Sequence, residues 1–452
     1  MKQRMLSQFS ILALGFGISG LTSIVSAQTP EANLSLKLEI QRSLDRGLRW
    51  LAKEQDAATG SLGDKEQPAI TALAVTAWMA DPSRQKGEIP EPAAKGYDFI
   101  ASTAHDDGGF YVKGLATYNT SLSMMALLQE ESGKFNQLIL GGRRFLIGQQ
   151  ADFDNKGETD SPFDGGIGYG GSYTHSDLSN THFALEALHY SKSLFADTGV
   201  DTSKQPDLNW DAAIKFVERC QNLTSTNDMD WASDDAANKG GFVYFPGDSK
   251  AGEMTVKGED GERVALRSYG SMSYAGLLSL VYADLKSDDP RIQAVLDWLR
   301  RNFTLEENPG LELQGLYYYY HTMAKALNIA KIDKMQLSDG TRVDWREELA
   351  KKLLICRPLM DRGPTRMHVG WRKSPLWLLR TRCLLWSIST VRFKLWIALA
   401  PLPIAWLTEQ GIRILSVHET KTSGLSSYLF RHFGHRHRCG KTDDDIRLRH
   451  VS

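Results

Sequence analysis

The chain has 452 residues, with 53 Lys+Arg against 54 Asp+Glu, four cysteines and a formal net charge of −1. That balance conceals two halves of opposite sign: Met1–Ile355 carries 36 basic and 48 acidic residues, and Cys356–Ser452 carries 17 and 6. An acidic body argues against nucleic acid as a partner, and the cysteines define no disulfide framework.

Met1–Ala27 opens with Lys2 and Arg4, continues with an apolar run from Ile11 to Val25, and ends on Val25-Ser26-Ala27. This order reads as a secretory signal peptide. The run is short and interrupted by glycines, which favours cleavage near Ala27 over a retained membrane anchor. The mature protein is therefore expected outside the cytoplasm. Removing leader and tail leaves residues 28–355, about 330 residues, enough for one large helical domain.

Leu36, Ile40, Leu44, Leu48 and Leu51 recur about one helical turn apart, with Lys37, Glu39, Arg42, Asp45, Arg46 and Arg49 on the other faces. The pattern predicts an amphipathic helix, greasy on one side only. A second kind of helix is small or apolar nearly all round: Ala69–Ala80, Ser121–Leu128, Thr181–Tyr190, Met272–Ala283 and Gly315–Leu327. Such helices are buried on most sides. Asp164–Tyr190 shows the joining grammar: a tight Asp-Gly-Gly turn, then Asp177, Ser179 or Asn180 to cap the next helix.

The same grammar recurs. Trp50, Phe99, Phe145, Phe216, Trp298 and Leu353 anchor six helical phrases, spaced 49, 46, 71, 82 and 55 residues apart. Gly60-Ser61-Leu62, Gly108-Gly109-Phe110, Gly165-Gly166-Ile167 and Gly240-Gly241-Phe242 follow the first four as turns. Asn308-Pro309-Gly310 stands in their place in the fifth. A period of about 45–50 residues with insertions predicts a tandem helical repeat. Alternating one-sided and greasy helices predict two layers, and six pairs would close into a barrel.

Three phrases carry a glutamine: Trp50-Leu51-x3-Gln55, Phe145-Leu146-x3-Gln150 and Phe216-Val217-x3-Gln221. They resemble the QW-type repeat of squalene and oxidosqualene cyclases and of prenyltransferase/squalene oxidase repeat proteins. The resemblance spans roughly Leu36–Ile355 and implies an all-α, (α/α)6 toroid whose sixth repeat is incomplete. The tryptophan that ends the repeat in that family is Leu62 in the first unit. For activity the resemblance leaves several chemistries open.

Cyclases of that kind protonate an alkene with an aspartic acid of a DxDD motif. The nearest match is Ser233-Asp234-Asp235-Ala236, which lacks the leading aspartate and runs into a glycine turn. A solvated pair there has ordinary acidity and cannot protonate an alkene. Prenyltransferase zinc is not expected either: the body has one cysteine, Cys220, and His175 and His182 are seven residues apart, two turns if one helix holds both, which is too far for one ion. No thioester loop, Gly-x-Ser-x-Gly elbow or HExxH motif is present, so no cofactor is expected. Asp152, Asp154, Asn155 and Asp160 lack the glycine and closing glutamate of a calcium loop.

Polar residues gather at the starts of the greasy helices: Tyr118 and Asn119; Asp177, Asn180 and His182; Arg267 and Tyr269; and Gln314, Tyr317, Tyr320 and His321. Together with helix N-termini these form the candidate ligand contacts. Four successive tyrosines, Tyr317 to Tyr320, point in four directions, so at most two face one ligand. Candidate catalytic residues are Asp164, Asp177, Asp234 and Asp235. The favoured function is a non-catalytic exported toroid that holds an apolar ligand or a protein partner. Alternatives are a terpenoid cyclase or prenyl transferase-like enzyme, and a carbohydrate-active (α/α)6 barrel using paired carboxylates such as Asp107 or Asp177 with Asp164.

From Cys356 onward the grammar fails. Lys352-Leu353-Leu354 opens a sixth phrase, but Pro358 stands where glutamine is expected. No glycine turn leading to a small-residue helix follows, and five of eleven tryptophans fall in this tail. The tail reads as a replaced or out-of-frame C-terminus. Leu376–Leu407 is apolar, yet Arg380, Arg382, Arg392 and Lys394 interrupt it, so no stable membrane span is expected. Arg431–Cys439 is rich in arginine and histidine and reads as a basic end.

Overall fold

The computed structural model describes residues 33–170, 175–198, 206–258 and 261–356. The expected signal peptide and the tail beyond Cys356 lie outside them. The described residues are mostly helical. Among them no helix is long and apolar enough to cross a membrane.

The helices fall into the two expected kinds. The one-sided set is α1 (Leu34–Glu54), α3 (Glu91–Ser102), α5 (Asn136–Ile147), α8 (Trp210–Glu218), α10 (Pro290–Arg301) and α12 (Trp345–Cys356). The six sequence anchors all lie in these helices, each within the last two turns. The second set is α2 (Pro68–Met79), α4 (Ala116–Leu127), α6 (Leu178–Ser191), α9 (Gly270–Tyr282) and α11 (Leu316–Ile329). Every residue of α2 and α4 is buried, as their all-round small and apolar composition dictates. A short α7 (Ser193–Thr198) follows α6.

The buried helices pack in sequence, α2 on α4, α4 on α6, α6 on α9 and α9 on α11. The first and last described helices, α1 and α12, also pack together, where Asn33 Nδ2 donates to Glu347 Oε2 at 3.1 Å. Two small antiparallel hairpins decorate this frame: β1 (Glu253–Gly258) with β2 (Gly261–Leu266), and β3 (Met335–Gln336) with β4 (Arg342–Val343). The first forms within an acidic, glycine-rich stretch. Thr255 and Val256 pair with Val264 and Arg263, and the β-branched Thr255, Val256 and Val264 outweigh the surrounding glycines.

What holds the repeats is visible at the glutamines. Gln55 Nε2 donates to the carbonyls of Gly60 and Pro92, both at 2.9 Å. Gln150 Nε2 does the same to Gly165 and Asn209, and Gln221 Nε2 to Gly240 and Arg291. Each amide thus ties its own turn glycine to the first residues of the next one-sided helix. Gly60, Gly165 and Gly240 have φ of +74°, +81° and +91°, where a Cβ would be strained. Such an atom would also strike the carbonyls of Lys95, Ala212 and Ala294 within 2.4 Å.

A second bond closes each turn. The N–H groups of Leu62, Phe110, Ile167 and Phe242 donate to the hydroxyls of Thr71, Thr120, Thr181 and Ser273 on the buried helices, at 2.8–3.0 Å. A buried turn would otherwise leave those donors unpaired. Asn119 Oδ1 similarly accepts from Ala69 N at the start of α2, and Asn308 Oδ1 from Ser271 N at the start of α9.

Candidate functional site

At the start of α6, Asp177 is the N-cap: its Oδ1 accepts from Asn180 N at 2.9 Å and its Oδ2 from Asn180 Nδ2 at 2.8 Å. Burial pushes the Asp177 carboxyl up to about 6, against the lowering effect of the Asn180 bonds and of the Lys250 charge. One turn further on, His182 and Glu186 share a helix face, four residues apart. His321 and Lys325 have the same spacing on α11.

The two faces meet. Lys325 Nζ lies 2.6 Å and 2.7 Å from the two Glu186 oxygens, and the two residues are 8% and 1% exposed. The bond joins helices that both pack on α9. Burying such a pair costs desolvation that its attraction roughly repays, so it is weak evidence for stability alone. Its charge reaches its neighbours: burial first, then Glu186, raises the pKa of the Tyr190 and Tyr282 hydroxyls. Burial and the Lys325 charge together push His182 down to about 3, so its imidazole is neutral. His182 lies against Phe183, ring centroids 3.9 Å apart, with Tyr318 of α11 edge-on at 6.3 Å.

Of the sequence candidates, Asp177, Asn180, His182 and His321 are buried on these two helices. Tyr118 is buried on α4 with its ring edge-on to Phe183 at 5.2 Å. Tyr269 is buried as the residue before α9, its N–H bound to the Phe242 carbonyl. Tyr319 and Tyr320 turn between layers, their hydroxyls donating to the carbonyls of Thr304 and Leu305. Tyr317 is half-buried and edge-on to Tyr320. Tyr318, not singled out from the sequence, is the tyrosine that faces α6.

Asp164, Asp234 and Asp235 serve turns. Asp164 accepts from the N–H groups of Phe153 and Ser161, bracing the inserted loop. Asp234 and Asp235 are exposed. Partial burial works against ionisation of Asp234, but the Thr224 N–H and hydroxyl and the Lys239 ammonium hold it below its usual value. Asp235 accepts from Ala237 N. Among the described residues no group of three or more His, Cys, Asp or Glu side chains is placed to hold a metal ion.

Glu186 and Lys325 were missed by sequence reasoning. The four-residue spacings His182–Glu186 and His321–Lys325 inside otherwise greasy helices were the available signal. In comparisons with known proteins, no family model and no curated protein matches this chain.

Proposed function

We propose that the chain is an exported (α/α)6 toroid of squalene cyclase/prenyltransferase-type repeats, and that it binds an apolar ligand or a protein partner in the space enclosed by its buried helices. The observation that carries this reading is the repeated tie of Gln55, Gln150 and Gln221 to a turn glycine and the next helix. The successive packing of α2, α4, α6, α9 and α11 and the α1–α12 contact support a closed arrangement. Binding rather than alkene protonation is favoured because the pair nearest to an acid motif, Asp234 and Asp235, stands exposed on a turn.

Export with cleavage after Ala27 belongs to the same reading, and intact mass of the secreted product tests it: a mature chain starting at Gln28 is expected. Incubation with squalene and with isoprenoid diphosphates, followed by product analysis, tests the function. Thermal stabilisation without turnover is expected; cyclised or prenylated products would replace this reading with the enzymatic one. One observation favours that second reading, the buried Asp177 acid with its raised pKa.

A further inference from the structure

His182 is 0% exposed, and neither ring nitrogen has a hydrogen-bond partner among the described residues. The carbonyls of Leu178 and Ser179 in the preceding turn favour its protonated form slightly, but neither meets a ring nitrogen in hydrogen-bond geometry. A buried polar group left unpaired costs about 1–3 kcal/mol, and a phenylalanine in the same place would cost nothing of the kind. Native interiors rarely carry such a group without a partner supplied from outside the chain.

The surroundings restrict what that partner is. A neutral imidazole offers one donor and one acceptor. The Lys325 ammonium is matched by both Glu186 oxygens, so the site holds no uncompensated cation for a phosphate or carboxylate. A cationic ligand would meet Lys325 itself. Phe183 and Tyr318 supply aromatic surface beside the imidazole, and Tyr118 packs on the Phe183 ring.

We infer that His182 is the polar anchor of a ligand site between α6 and α11, and that its occupant is an uncharged, hydroxyl-headed apolar molecule. A hydroxyl both donates and accepts, so it can pair with whichever imidazole nitrogen faces the site, in either tautomer. The inference rests on the apolar-ligand reading above and narrows it to a headgroup.

The test uses the full mature chain and three probes delivered from cyclodextrin: 1-dodecanol, dodecane and dodecanoate. Dodecanol is expected to bind about 2- to 10-fold more tightly than dodecane, the net worth of one well-made buried hydrogen bond. Dodecanoate is expected to bind more weakly than dodecanol. His182→Phe should bring dodecanol down to the affinity of dodecane while leaving the unliganded protein as stable as wild type or more so. His182→Gln, which keeps a donor and an acceptor, should retain part of the preference. Equal affinities for dodecanol and dodecane in wild type would overturn the headgroup inference and leave the apolar-ligand reading standing. A destabilised His182→Phe with unchanged dodecanol affinity would mean that the ring holds only a buried water, and would overturn it too. Failure of all three probes to bind would overturn both.

Discussion

Replacing Gln221 tests the repeat device at its most buried copy. Its side chain is 0% exposed and its amide donates to the Gly240 and Arg291 carbonyls, both at 3.0 Å. Gln221→Met keeps the length and removes both donors. Each lost bond is worth about 1 kcal/mol, and the stranded Gly240 carbonyl adds a desolvation cost of about 1–3 kcal/mol. The Arg291 carbonyl keeps its place in the α10 ladder and adds little. The sum is a loss of about 3–5 kcal/mol, against less than 1 kcal/mol for Gln293→Met on the exposed face of α10. Gln221→Glu should be worse than Met at neutral pH, because a carboxylate would face two carbonyl oxygens. Urea unfolding of the mature protein measures all three. If Gln221→Met costs no more than Gln293→Met, the glutamines are not what fastens one repeat to the next.

Gly165→Ala is expected to cost several kcal/mol, since φ is +81° and the new Cβ would lie 1.9 Å from the Ala212 carbonyl oxygen; Gly157→Ala, at φ +85° with nothing within 4 Å, should cost only about 1 kcal/mol of backbone strain, and equal losses in urea would refute the close-approach argument. Glu186→Gln should cost about 3–5 kcal/mol by stranding a buried ammonium, while Glu186→Leu with Lys325→Met should recover most of it in a double-mutant cycle. Asp177, raised in the fold to about 6 from 3.8, binds its proton more tightly folded than unfolded. Its contribution therefore falls as pH rises from about 4 to about 6, costing about 3 kcal/mol above that window, and Asp177→Asn, still a competent cap, should flatten that part of the stability profile. His182 acts in the opposite sense: lowered to about 3 in the fold, it is protonated preferentially in the unfolded chain, so stability is lost as pH falls from about 6.5 toward 3, and His182→Phe should remove that acid sensitivity in urea titrations at stepped pH.

The architecture was legible to the extent that it is local. Gly-Gly turns, glutamines five residues after an aromatic anchor and helices such as Ala69–Ala80 declare their roles within a dozen residues, and the helices stand where they were expected. Asp177 was legible as a cap for the same reason. The ion pair was not, because Glu186 and Lys325 are 139 residues apart and their meeting depends on how α6 and α11 both pack on α9. The choice among four adjacent tyrosines was likewise tertiary: Tyr319 and Tyr320 found carbonyl acceptors in the segment after α10, which left Tyr318 to face α6. The β1–β2 hairpin was hidden by the glycines and acids around it.

The contact between α1 and α12 changes what kind of object this is. An open stack of hairpins shares stability only between neighbours, so its extremities fray while its middle persists. Here the first and last described helices touch each other, and in the closed arrangement proposed above neither extremity would be an end in that sense. In that arrangement, injury to Asn33 or Glu347 would loosen a seam rather than a fringe, and melting should run around the whole circuit at once.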